Sequence, residues 1–356
     1  MLPNSNVKKH LPTIHGGLYS VKTKKQGIID FSSNINPLGY HPGVKKYLEK
    51  QMKTMSVYPD SESAELRKNL NWYTKVSDNQ IVVGNGATEI IYNFCQAFLN
   101  KKTPVLIPIP TFSEYEVASK LHGSKVFFFK TMNLNNDLDV FIKKIPKKGC
   151  IFICNPNNPT GILVSKINIQ KIIIASLKRS TFVFVDECFI ELADSTQSVL
   201  SYIKKYQNLF VLRSLTKSFG LAGLRIGYGI SNKKIIRILN NIKIPWNVSG
   251  IAQKAASAAL CYYNYLDETT KIISLEKSFL VEAISKIDGF SCLPTDTNFI
   301  LIKTKIKSDI LQKKLLKKKI LIRDCQSFRG LNNHYIRVAV KSHKDNIKLI
   351  KELEAI

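Results

Sequence analysis

From about residue 78 to Tyr228 the chain repeats one unit: a short apolar run, a turn of Gly, Pro or Asn, and a helical stretch. Ile81-Val82-Val83 leads into Gly84-Asn85-Gly86-Ala87-Thr88-Glu89 and a helix reaching about Leu99. A strand from Pro104 to Ile109 gives way to Pro110-Thr111-Phe112 and a helix from Glu114 to His122, and Cys150–Cys154 and Thr181–Val185 open further units. Strands joined by helical crossovers lie parallel, and a parallel sheet is buried on both faces, so its strands read as near-continuous apolar runs. The expected fold is therefore α/β, a mostly parallel sheet covered by helices. Val126-Phe127-Phe128-Phe129 fits it as one more buried strand, not an aromatic binding surface.

After Tyr228 the pattern changes. A helix over Lys233–Ile242, the segment Ile244-Pro245-Trp246-Asn247-Val248 and two helices ending near residue 287 precede short strands at Asn298–Ile302, Ile320–Arg323 and Tyr335–Val340. This reads as a smaller α+β domain. A single core seldom grows beyond roughly 250 to 300 residues, which makes two domains the natural division of 356. The expected boundaries are an arm and part of the small domain at 1–45, a large domain at 46–245 and a small domain at 246–356.

Composition removes several classes. No run of about 18 apolar residues is present and the first ten residues lack a secretory apolar core, so no membrane partner and a cytoplasmic location are expected. Seven scattered cysteines without C-x-x-C spacing read as buried thiols, and no His or Cys pattern suits a metal. A net charge of +27 raises nucleic-acid binding. The lysines, however, are spread along the whole chain, often on helical faces such as 311–319, without a basic tail or an RNA-binding signature. Solvated helical faces explain that distribution better than a nucleic-acid partner, with steering of anionic substrates or lysine-rich codon usage as the other readings of the charge.

Polar residues gather where apolar strands end, which is where open α/β sheets place their ligands. The segment Ser214-Leu215-Thr216-Lys217-Ser218 follows the run Leu209–Leu212, so Lys217 leaves a buried strand for a crowded pocket. A desolvated amine beside another cation loses its proton more easily and becomes a nucleophile toward aldehydes. Ser214, Thr216 and Arg225 can hold a phosphate. So can the helix opening at Ala87-Thr88, with Gly84 and Gly86 allowing close approach. Asp186 ends another strand, where a buried carboxylate needs a partner such as a protonated ring nitrogen. Asn158 can donate to a ring oxygen and Phe112 can stack. Two rival readings fail on spacing: Glu89 stands where a dinucleotide fingerprint needs its third glycine, and the glycines of a triphosphate-binding loop are missing before Lys217-Ser218.

The ordered set Gly86-Ala87-Thr88, Pro110-Thr111-Phe112, Asn158-Pro159-Thr160-Gly161, Asp186-Glu187, Ser214-x-Thr216-Lys217 and Arg225 resembles the fold-type I aminotransferases of classes I and II. The resemblance spans nearly the whole chain. It implies that Lys217 carries pyridoxal 5'-phosphate, with Asp186 on the ring nitrogen, Asn158 on the ring oxygen and Phe112 stacked on the ring. The phosphate would lie on Ala87, Thr88, Ser214, Thr216 and Arg225. Tyr58 matches a tyrosine that reaches the phosphate from the partner subunit, which implies a homodimer with shared active sites.

Two branches of the family compete. The chain is similar to threonine-phosphate decarboxylases of cobalamin biosynthesis in His15-Gly16-Gly17, Phe31–Gly39, Val211–Lys217, Pro245–Val248, Ile320–Arg323 and Tyr335–Ala339. This implies release of carbon dioxide from phosphothreonine, with phosphoserine, one methyl smaller, left open. Arg323 and Arg337 would hold the two anionic ends and His15 with Asn36 would complete the site. The alternative is a histidinol-phosphate aminotransferase, a branch that commonly has Tyr at the position of Phe189. A non-catalytic nucleic-acid-binding protein is the distant third reading.

Overall fold

The computed structural model describes residues 5–8, 10, 12–22 and 24–356; residues 1–4, 9, 11 and 23 of the expected arm lie outside them. Its strands are β1 (Ile29–Asp30), β2 (Ile81–Gly84), β3 (Val105–Ile109), β4 (Val126–Lys130), β5 (Cys150–Cys154), β6 (Phe182–Asp186), β7 (Leu209–Ser214), β8 (Gly227–Ile230), β9 (Phe290–Cys292), β10 (Phe299–Thr304), β11 (Ile320–Leu321), β12 (Arg323–Asp324) and β13 (Tyr335–Ala339). One seven-stranded sheet runs in the order β2-β8-β7-β6-β5-β3-β4. Its pairs from β7 through β4 are parallel, and only β8 runs against its neighbours β2 and β7. The α/β expectation holds. Among the described residues no helix is long and apolar enough to cross a membrane.

Every residue of β2, β5 and β7 is buried, as double coverage by helices requires. On one face the helix Ala87–Phe98 buries Ile90, Ile91, Phe94 and Cys95, the spacing that makes one helical stripe. Phe94 meets Phe184 and Phe210 of the sheet at ring distances of 4.9 and 5.3 Å. On the other face the helices Ala64–Thr74, Lys166–Leu177 and Gly250–Cys261 close a second core.

The small domain carries the four-stranded sheet β12-β13-β10-β9. The N-terminal segment reaches it through β1, which pairs in parallel with β11, and through fully buried Phe31.

Three expectations need correction. The strand at 126–130, outermost on its side of the sheet, has no fully buried residue, and Phe127 is 44% exposed. The apolar spacing alone could not reveal the missing neighbour. The domain boundary does not fall at 245: Val248, Ala252, Ala255, Ala256 and Leu266 belong to the large core, whereas Leu280 and Ile284 belong to the small one. The helix Tyr265–Ser285 therefore crosses between the cores, and its small-residue predecessor packs closely on the large domain. Finally, not all thiols are buried, since Cys261 at the end of its helix is exposed and Cys292 is half-buried.

Candidate active site

The strands β2, β3, β5, β6 and β7 all end on one edge of the large sheet. Register brings Cys154 beside Asp186, and Gly227 beside both Gly84 and Ser214. There the chain walls a cavity of about 340 Å³ that contains Lys217. Burial, then the positive charges of Arg337 and Arg225, lower the Lys217 amine from 10.5 to about 8. Near neutral pH a fraction of that amine is unprotonated, as a nucleophile or general base requires.

One side of the cavity is built for an anion. The helix Ala87–Phe98 opens toward it and leaves its first N–H groups without helical partners. Gly86 precedes it at φ 81, and a Cβ there would stand 2.6 Å from Nη2 of Arg225. Ser214 Oγ and Thr216 Oγ1 lie 2.7 Å apart as a hydroxyl pair, and Thr88 joins them on the lining. Helix terminus, hydroxyls and guanidinium together match a phosphate.

Asp186 lines the same cavity and is 5% exposed. Tyr115 Oη donates to its Oδ2 at 2.6 Å and the Cys188 amide to its Oδ1 at 2.9 Å. Burial raises its pKa, and the bonds from Cys188 and Tyr115 oppose that rise. Neither hydrogen-bond partner is a cation. A carboxylate so placed suits a ligand N–H that carries positive charge.

The remaining expected residues divide. Arg337 Nη1 donates to Asn158 Oδ1, and its Nη2 to the carbonyl of Ser32 at 2.7 Å; burial brings this guanidinium down to about 10. Arg323 lines the cavity while its Nη2 donates to the carbonyl of Ile14 at 2.6 Å and to Ser327 Oγ at 2.9 Å. His15 and Phe112 also line it, with rings 5.8 Å apart, and His15 Nε2 lies 2.8 Å from Oε1 of Glu114. Tyr58 does not reach the cavity of its own chain: it is 80% exposed and packs on Trp246 at 4.9 Å.

Asn36 is a correction. It is absent from the cavity wall, because its amide is occupied by the lysine loop and by Thr269. Asn34, two residues earlier, faces the cavity instead, with a buried Oδ1 that has no partner among the described residues. Sequence reasoning also missed Tyr115 and Cys188. Tyr115 lies in the first turn of the helix that follows the Pro110-Thr111-Phe112 turn, and its ring meets Phe112 edge-on at 5.6 Å. Cys154 and Cys188, read only as buried thiols, border the cavity as well.

An anion cup, a carboxylate bonded to no cation and a lysine, all lining one cavity, fit pyridoxal phosphate and define an enzyme that uses it. The chain matches the family described as aminotransferase class I and II over residues 26–353, and it belongs to that family. It is 37% identical over 329 residues to a histidinol-phosphate aminotransferase of Thermoanaerobacter pseudethanolicus, covering 91% of this chain and 92% of that one. The crystal structure of the histidinol-phosphate aminotransferase from Clostridium acetobutylicum superimposes with a TM-score of 0.84 at 34% identity, over 92% of this chain and 98% of the other. The L-threonine-O-3-phosphate decarboxylase structure from Porphyromonas gingivalis gives 0.84 at 29%, over 92% and 99%.

These likenesses overturn the expected decarboxylase activity. The relative at 37% and the structure at 34% are both histidinol-phosphate aminotransferases, and they lie above the decarboxylase at 29%. One residue recruited for the decarboxylase reading, Asn36, is outside the cavity altogether.

Proposed function

We propose that the chain is a pyridoxal-phosphate-dependent aminotransferase acting on a phosphorylated amine, with histidinol phosphate as the leading substrate. Its likeness to histidinol-phosphate aminotransferases over nine tenths of its length carries the reading. Two guanidiniums, Arg323 and Arg337, share the cavity with Lys217 and supply what a substrate phosphate and the carboxylate of a keto acid acceptor need. The high net charge of +27 favours encounter with such anions.

The cofactor, when bound, supplies an aldehyde carbon and an electron-withdrawing ring. Lys217 would hold it, and its amine would move a proton at the carbon bearing the substrate's amino group. Asp186 would keep a proton on the ring nitrogen, with Tyr115 orienting the carboxylate. Asn158, already bound to Arg337, would link the ring oxygen to the arginine that holds the substrate. Phe112 would bound the ring face, and Ala87, Thr88, Ser214, Thr216 and Arg225 would hold the phosphate.

We also infer a homodimer. Met55, Val57, Tyr58, Ile244 and Trp246 are all more than half exposed, and Tyr58 packs on Trp246. A second copy would cover this apolar surface and receive Tyr58 at its own cofactor site; size measurement in solution tests it, and a stable monomer refutes it.

The substrate reading is tested by incubating the holoenzyme with histidinol phosphate, with and without a keto acid acceptor. Acceptor-dependent amino transfer is expected. Carbon dioxide released from phosphothreonine with no acceptor, and no transfer from histidinol phosphate, would overturn it.

A further inference from the structure

We propose that Asn36 is a positioning residue for Lys217, fastening the lysine loop to the helix that joins the two cores. Its backbone N–H donates to the Lys217 carbonyl at 3.0 Å. Its Nδ2 donates to the Ser218 carbonyl at 2.8 Å and to Thr269 Oγ1 at 2.9 Å, and its Oδ1 accepts from the Leu38 amide at 2.9 Å. Both amide hydrogens are engaged, so Asn36 cannot donate to a ligand without giving up a bond within the protein. Asn36 is 3% exposed and Thr269 is fully buried, so water does not replace those bonds cheaply.

Thr269 gives this knot its reach. It sits on the helix Tyr265–Ser285 and anchors itself through a 2.9 Å bond from Oγ1 to the Tyr265 carbonyl. The same helix places Leu266 in the large core and Leu280 and Ile284 in the small one. Thr269 lies between Leu266 and Ile273, both packed in clusters of the large domain, so Asn36 ties the peptide units of Lys217 and Ser218 to the part of that helix seated on the large sheet. On the opposite side the Ser218 hydroxyl donates to Glu191 Oε2 at 3.1 Å, and Glu191 is paired with buried Arg213 at 2.8 Å. The lysine backbone is thus held from two sides, by Glu191 with Arg213 and by the helix segment at Thr269. The amine's place between Arg225 and Arg337 depends on where that backbone stands.

This inference needs the cofactor but not the choice of substrate, so it survives or fails independently of the proposed activity. The holoenzyme variants Asn36→Ala and Thr269→Val are compared with wild type by a substrate-free pH titration of the bound cofactor's visible absorption. For Asn36→Ala the midpoint is expected to move by about half a unit or more. With whichever amino donor is active, kcat is expected to fall about tenfold to hundredfold while KM stays within about twofold. Thr269→Val, away from the cavity, is expected to shift the midpoint in the same direction by less. A raised KM with unchanged kcat and midpoint would make Asn36 a ligand contact and overturn the proposal. A lower thermal midpoint with an unchanged titration would reduce it to a stability role and also overturn it. If Asn36→Ala does not fold, an unmoved titration in Thr269→Val is sufficient refutation.

Discussion

Replacing Lys217 by methionine should make the cofactor-free protein more stable, although it abolishes the chemistry. The lysine's pKa falls from 10.5 to about 8 on folding, through burial and then the charges of Arg337 and Arg225. Below about pH 8 the folded state must keep an ammonium where it is disfavoured, a penalty of about 3 kcal/mol. Between about 8 and 10.5 the unfolded chain binds more protons than the folded one, so stability rises with pH and the penalty is gone above 10.5. Methionine keeps most of the apolar stem and carries no charge. With roughly 2.1 cal/mol/K per residue for the entropy of unfolding, the gain for a chain of 356 residues corresponds to about 4 °C in Tm near pH 7. Thermal unfolding of wild type and Lys217→Met, both without cofactor, measures it. The gap should shrink to about 1 °C at pH 10. A variant no more stable at pH 7, or a gap independent of pH, would show that the amine is not held at a cost.

Two further outcomes follow from the bonds made by Tyr115 and Glu114. Tyr115→Phe removes the hydroxyl on Asp186 Oδ2, a bond to a charged acceptor worth about 1.5–3 kcal/mol; it should weaken cofactor binding roughly tenfold to a hundredfold in an absorbance titration, and unaltered affinity would refute the orienting role. Burial alone would raise the Glu114 carboxyl, but bonds from His15, Thr13 and Tyr92 outweigh it and bring the pKa down to about 2. The stabilisation this carboxylate provides is present above 4.5 and is lost as pH falls toward 2. Glu114→Gln should therefore expose residues 12–22 to faster proteolysis at neutral pH, whereas wild type should show that only in acid; equal cleavage rates at neutral pH would show that Glu114 does not hold the segment of Thr13 and His15.

The parts of the site legible in the sequence are those set by local geometry. A strand followed by a turn and a helix fixes which end of the strand carries the ligand, so Ala87, Asp186, Ser214 and Lys217 could be placed on one edge without knowing the strand order. Asn34 and Asn36 show where that reasoning stops. Both are amides in one turn-rich segment, and which of them looks into the cavity depends on Lys217 and Thr269, 181 and 233 residues away in the chain. The domain boundary was hidden for a similar reason, since an alanine-rich helix carries no mark of the core it joins. Phe127 was misplaced because an edge strand and a central one have the same apolar spacing. Choice of substrate lay furthest from local geometry, resting on short segments scattered from His15 to Ala339.

The reversed strand β8 has a consequence for dimensions. Running against its neighbours, it brings its first residue, Gly227, to the cofactor edge between Gly84 and Ser214. Two strand spacings of about 4.8 Å then separate the glycine turn from the hydroxyl pair, roughly 10 Å in all. A Cβ on Gly227 would stand 2.6 Å from the Ala87 nitrogen, so the middle of that span must stay bare. The mouth of the phosphate cup is therefore ruled off by the hydrogen-bond ladder of the sheet, a gauge that side-chain substitution around it cannot reset.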